Sequence, residues 1–111
     1  MVSLNLTVSV EEGIEQSTIF LTGEIDIYTV DQIKKDLLPL TEKKGHIVIV
    51  NLKKVNYMDS TGLGLFIKAL KSTQKHKSKL KLTQLQKRVA RLFKITGLDE
   101  VIQIESSAGC K

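Results

Sequence analysis

The sequence predicts an α/β fold: one mixed, mostly parallel β-sheet that opens with an N-terminal hairpin and has helices packed against it. Three observations carry this expectation. Residues 2–10 and 17–27 alternate apolar and polar side chains and are joined by a short turn, the pattern of an antiparallel hairpin. Beyond residue 28, stretches of helical periodicity alternate with short β-branched runs, which predicts parallel strands joined by right-handed crossovers. The chain has 111 residues, 41% of them apolar, with no internal repeat or linker. That length suits a single domain able to bury its own core. We expect this domain to span 1–105, with 106–111 as a flexible tail.

In the first strand Val2, Leu4, Leu6, Val8 and Val10 share one face, and Glu11-Glu12-Gly13 makes the turn. The second strand runs from Ser17 to Ile27, with Ile19, Leu21, Gly23 and Ile25 in one register. A glycine inside a strand marks a bulge or a close backbone approach. Thr29 and Gln32 have capping-box spacing, and Val30, Ile33, Leu37 and Leu40 follow at helical spacing. Pro39 lacks an amide and clashes with the carbonyl four residues back, so the helix is expected to end or kink near Leu38. Glu42-Lys43-Lys44-Gly45 reads as a loop. His46 to Leu52 is a near-continuous β-branched run, expected to be a central strand covered on both faces. Lys53 to Met58 then leads into the next helix.

The second helix is expected over 61–75. Leu63, Phe66, Ile67 and Leu70 form its apolar stripe. Thr61, Gly64, Lys68, Lys71 and Ser72 lie away from it, and Leu65 is also off the stripe. A basic turn, Lys75-His76-Lys77-Ser78-Lys79, precedes a short strand at Leu80-Lys81-Leu82. Thr83 and Gln86 again have capping-box spacing. The third helix turns Val89, Leu92, Phe93 and Thr96 inward and Lys87, Arg88, Arg91 and Lys94 outward. Gly97 suits a left-handed C-cap with Leu98 folding back. Residues 101–104 read as a last short strand or a terminal segment.

Composition narrows the function. Cys110 is the only cysteine, which rules out an internal disulfide or cysteine-rich metal site and suits a reducing compartment. Met1 to Leu6 does not read as a signal peptide, and no apolar run approaches membrane-spanning length. We therefore expect a cytoplasmic protein. The formal net charge is +5, with lysines and arginines spread from Lys68 to Lys94. This is a solvated basic surface or an attraction for an acidic partner. Aromatic residues are only 5% of the chain, too few for a base-stacking platform, and no groove-reading motif appears, so direct nucleic-acid binding is not expected.

Enzyme motifs are missing. There is no G-x-x-x-x-G-K-S/T loop and no G-x-S-x-G elbow. Gly62-Leu63-Gly64 falls inside the predicted helix, where it cannot wrap a pyrophosphate. His46 and His76 are the only histidines, and neither can be placed as a base beside a nucleophile. No metal-ligand spacing is found, and no cofactor is expected.

The informative stretch is the junction Asp59-Ser60-Thr61-Gly62. Ser60 reads as an N-cap, since serine is a preferred cap. It also reads as a phosphoacceptor, because unpaired amides and the dipole favour an anion at a helix start. Asp59 is a second capping group, or it orients the Ser60 hydroxyl. Thr61 is a further possible acceptor. Gly62 and Gly64 are poor helix residues, and close approach by another backbone would account for them. Leu65 is either an exposed anchor or a cover for the core edge.

Asp59-Ser60-Thr61-Gly62-Leu63-Gly64 resembles the signature of stand-alone STAS domains of the bacterial anti-sigma factor antagonist family. Leu21-Thr22-Gly23-Glu24-Ile25-Asp26, Val50-Asn51-Leu52 and Leu92-Phe93-Lys94-Ile95-Thr96-Gly97-Leu98 match that family in order and spacing. The resemblance covers nearly the whole chain and implies a STAS-like single domain. It implies a regulator, not an enzyme, that holds no ATP or metal. The unphosphorylated antagonist would bind an anti-sigma factor that is also a serine kinase, and so release a sigma factor. Phosphorylation of Ser60 would end binding, and a metal-dependent serine phosphatase would reset it. The resemblance further implies that Asp59, Thr61 and Gly62 shape the junction, and that Gly23, Glu24, Asp26, Gly64, Leu65 and Lys68 are partner contacts near it. The basic balance is less typical of such antagonists. The alternative is a STAS interaction module of a transporter or signalling scaffold, without phosphorylation.

Overall fold

Val8 faces Leu21 across an antiparallel ladder, and Ile19 faces Val50 across a parallel one. These pairings belong to β1 (Leu6–Glu12), β2 (Gln16–Ile25) and β3 (Ile47–Met58) of a computed structural model that describes residues 5–106. The remaining elements are α1 (Val30–Thr41), α2 (Ser60–His76), β4 (Lys79–Leu85), α3 (Lys87–Thr96), a 3-10 turn at Leu98–Glu100 and β5 (Gln103–Ser106). The strands form one sheet in the order β1-β2-β3-β4-β5. Only the β1–β2 pair is antiparallel, as the hairpin-then-alternation pattern predicts. Val2 and Leu4 of the expected first strand, and Cys110 in the expected tail, lie outside the described residues.

One register of the sheet makes the core. Ile19, Leu21, Val48, Val50, Leu52, Leu80 and Leu82 are buried together with Ile33, Leu37, Phe66, Val89 and Phe93 from the three helices. The rings of Phe66 and Phe93 tie α2 to α3, with centroids 6.1 Å apart and planes tilted by 49°. The alternate register is only half-buried: Thr18, Phe20, Ile47, Ile49, Asn51, Lys81 and Thr83. The helices therefore share one face, and β3 is not covered on both. The run of isoleucines and valines hid this, because Ile47 and Ile49 lie on the wetter face, where Thr18, Asn51 and Lys81 keep their polar groups accessible.

β3 is longer than the β-branched run. Its pairing with β2 slips twice, from Phe20↔Asn51 to Thr22↔Lys54 and from Gly23↔Val55 to Glu24↔Tyr57. Each slip adds one residue to β3, as a bulge does. Leu52, Val55 and Met58 all stay buried although they are three apart.

Other corrections are local. α1 runs through Pro39 to Thr41 without ending at Leu38. Pro39 sits in the last turn, where few hydrogen bonds remain to be lost, and Thr41 Oγ1 donates to Leu38 O at 2.7 Å. Thr29 precedes α1 but makes no side-chain cap. Thr83 lies within β4, and Gln86 precedes α3 with its Nε2 donating to Lys53 O at 2.8 Å, so neither expected capping box forms. Thr96 is exposed, with Oγ1 donating back to Leu92 O at 2.8 Å. Ile67 and Leu70 are half-buried, while Leu65 and Ala69 are buried. Gly97 adopts the predicted left-handed C-cap at φ +78.

Candidate functional site

The two bulges carry β3 far enough that Met58 pairs with Ile25 at the end of β2. Asp59 follows, its amide donating to Ile25 O at 3.3 Å. Its backbone is extended (φ −114, ψ −168), and its Oδ1 accepts from the Thr61 amide at 2.9 Å. Its own carbonyl accepts from the Gly62 amide at 3.0 Å. Asp59 is thus the N-cap of α2, and Ser60 is the first helical residue. This corrects the expectation that Ser60 caps. Both residue types cap well, and the anchoring of Asp59 to β2 decides which one turns outward. Ser60 is exposed, and its hydroxyl makes no hydrogen bond among the described residues.

A second loop stands beside this junction. Asp26 Oδ1 accepts from the amides of Tyr28 (2.8 Å) and Thr29 (3.1 Å), closing a tight turn. The buried Thr29 hydroxyl accepts from the Asp26 amide at 2.9 Å and donates to Glu24 O at 2.8 Å. This bonding explains why Thr29 does not cap α1. It also holds Ile27 and Tyr28 outward, 66% and 82% exposed. Tyr57, opposite Glu24 in the ladder, is 44% exposed. Sequence reading missed these three residues. The signal was present, since Ile27 and Tyr28 are large and apolar and directly follow a turn-forming aspartate.

The glycines divide into two kinds. Gly23 has φ +123, and a Cβ there would collide with Asn5 O. The Glu24 amide donates to that same carbonyl at 2.9 Å, which is the close approach the sequence suggested. Gly62 is buried, and a Cβ would stand 2.5 Å from Met58 Cγ and 2.9 Å from Ile25 Cγ2. The close neighbours are side chains, not the backbone that was expected. Gly64 is exposed with nothing within 4 Å.

The other expected site residues fall as follows. Glu24, Asp26, Asp59 and Thr61 are half-buried around the junction, and Lys68 is exposed two turns along α2. Leu65 is 4% exposed and packs in the core, so it is not an anchor. α2 buries a wide arc against the sheet and its neighbouring helices, which brings Leu65 inward from outside the expected stripe.

The histidines stand apart from the junction. His46 precedes β3 at the opposite end of that strand, its Nε2 2.8 Å from buried Ser17 Oγ. His76 ends α2, its Nδ1 2.9 Å from Ser72 O. Among the described residues no group of three or more His, Cys, Asp or Glu could hold a metal ion, and no helix is long and apolar enough to cross a membrane.

The junction thus places an exposed serine at the start of a helix, beside the carboxyl ends of the parallel strands β2 and β3. Residues 5–109 match the family model of the STAS domain, and the chain belongs to that family. Among curated relatives, the anti-sigma-B factor antagonist of Listeria monocytogenes is 40% identical over 107 residues, covering 96% of this chain and 94% of the relative. The anti-sigma-B factor antagonist of Bacillus subtilis is 39% identical over 105 residues, covering 95% of each. The crystal structure of an anti-sigma factor antagonist from Mycobacterium paratuberculosis has the same fold, with a TM-score of 0.80 at 19% identity over 95% of this chain and 90% of that one.

Proposed function

We propose that this protein is a cytoplasmic anti-sigma factor antagonist switched by phosphorylation of Ser60. Unphosphorylated, it binds an anti-sigma factor that is also an ATP-dependent serine kinase, and the sigma factor is freed. The kinase then transfers the γ-phosphoryl group of ATP to Ser60 Oγ, and the complex separates. A metal-dependent serine phosphatase restores the hydroxyl.

The observation that carries this reading is the division of labour at the start of α2. Asp59 satisfies the helix, so the Ser60 hydroxyl stays exposed and unbonded. A phosphate on Ser60 would add a charge of about −1.5 to −2 at the positive end of the helix dipole, so α2 need not melt. The switch would act on the docked partner. Ile27, Tyr28 and Tyr57, on the two segments that flank the Ile25–Met58 pair preceding Ser60, offer exposed apolar surface, and a partner packed over them and the junction would have to strip water from a doubly charged group. Gly64, one turn on, leaves the helix backbone bare for close approach.

The test compares Ser60→Ala and Ser60→Asp for binding to the purified anti-sigma factor kinase of the host, with and without ATP. Ser60→Ala should bind and stay bound in ATP, whereas Ser60→Asp should bind weakly. If both behave as the unsubstituted protein does in ATP, the switch is wrong. Capture of transporter or scaffold subunits alone would favour a non-switching STAS module.

A further inference from the structure

The exposed ridge of α2 has a charge that the fold itself does not explain. Ser60, Gly64, Lys68, Lys71 and Lys75 are all exposed and follow one another at intervals of three or four residues, so they line one face of the helix. At about 1.5 Å rise per residue, the ridge extends roughly 22 Å from Ser60. No acidic residue occurs anywhere between Ser60 and His76. Among the described residues, ion pairs join Lys34 to Asp31, Lys43 to Glu12 and Lys81 to Glu105, and none involves the three α2 lysines. The groove between α1 and α2 brings Lys68, Lys71, Lys75 and His76 together with Glu42, whose carboxylate pairs with none of them.

Lys75 suits its place, because a cation in the last turn complements the helix dipole. Lys68 and Lys71 lie mid-helix, where the dipole gives them nothing. Like charges at these spacings destabilise an isolated helix. The net charge of +5 shows that the rest of the chain does not balance them.

We infer that the α2 ridge is a docking track for an acidic protein surface, and that Lys68 and Lys71 steer the partner onto Ser60. The inference rests on the function proposed above, since the track continues from the phosphoacceptor and the same kinase partner would occupy both. An acidic strip on that partner, laid beyond bare Gly64 and along the lysines, would meet charge of one sign from Lys68 to Lys75. Complementary charge of this kind raises the association rate more than it slows dissociation, and salt screens it. It also sharpens the switch. A phosphate at the head of the track sets a negative charge against the acidic strip, so repulsion adds to the loss of apolar contact.

The test is stopped-flow association with the purified kinase partner at low and at physiological salt. It uses the unsubstituted protein, Lys68→Glu/Lys71→Glu, Lys68→Gln/Lys71→Gln and Ser60→Asp. Charge reversal should lower the association rate at least ten-fold at low salt and flatten its salt dependence. The glutamine variant should fall between, and dissociation should change little. Circular dichroism on each variant confirms that α2 is intact. If Lys68→Glu/Lys71→Glu associates at the unsubstituted rate while Ser60→Asp does not bind, the track is refuted and the phosphoswitch stands. If neither variant alters binding, the underlying function fails with it. Unchanged kinase binding, with loss of retention on phosphatidylserine vesicles or on duplex DNA, would assign the lysines to those partners and overturn the inference.

Discussion

Asp59 Oδ1 takes the Thr61 amide at 2.9 Å, and this bond makes Asp59, not Ser60, the cap of α2. The assignment predicts an order of stabilities. Asp59→Ala should cost about 1 kcal/mol, read as a fall in melting temperature of roughly 4–8 °C for a domain near this size. Ser60→Ala should stay within about 0.5 kcal/mol, because an exposed, unbonded hydroxyl leaves nothing unpaired. Thermal unfolding of both variants checks this, and a larger loss for Ser60→Ala would return the cap to Ser60.

Gly62 and Gly64 should respond to alanine with opposite signs. At Gly62 the new methyl would press on Met58 and Ile25, and overpacking of this kind costs about 1–3 kcal/mol. At Gly64 nothing lies within 4 Å, so alanine should stabilise the helix by roughly 0.5–1 kcal/mol. Urea midpoints measure both. Gly64→Ala should still weaken partner binding, since its methyl stands where the partner approaches. A Gly64→Ala variant that is both more stable and equally tight would remove Gly64 from the docking surface.

The buried pair Ser17–His46 is a structural bond between the starts of β2 and β3. Ser17 Oγ and His46 Nε2 are 2.8 Å apart, and both residues are almost fully buried. Ser17→Ala should cost about 1–3 kcal/mol by leaving a ring nitrogen unsatisfied. It should not alter binding at the far end of the sheet. Denaturant unfolding and the kinase-binding assay read the two effects separately.

Local signals carried most of the fold. Period-two alternation revealed the hairpin, Gly23 announced the approach of Asn5, and Gly97 marked the end of α3. The second half of β3 was obscured because two bulges set Leu52, Val55 and Met58 three apart, a spacing closer to a helix than to a strand. Leu65 stayed open between anchor and core cover because a helix packed against a sheet and other helices buries more than one stripe, and it proves to be core. The cap could not be assigned from adjacent Asp59 and Ser60, since the choice depends on the hydrogen bond from Asp59 to Ile25. Ile27 and Tyr28 looked like strand and connection residues. Their exposure follows from the Asp26 turn, whose carboxylate accepts from the Tyr28 and Thr29 amides.

That turn leads to the last prediction. Tyr28 is the most exposed aromatic side chain beside the junction, at 82%, yet its backbone is fixed by Asp26 Oδ1. A large side chain on a rigid loop loses little entropy when a partner covers it, and exposed tyrosines held in this way are frequent hot spots. Tyr28→Ala should leave the melting temperature nearly unchanged, because the ring supports no core packing. It should weaken kinase binding by about 2 kcal/mol or more, roughly thirty-fold. Asp26→Ala should give a similar binding loss for a different reason, by releasing the turn that presents Tyr28. A Tyr28→Ala/Asp26→Ala double variant should then lose less than the sum of the two, since both act through the same ring. Full additivity, or a Tyr28→Ala variant that binds normally, would mean that the partner docks elsewhere around Ser60.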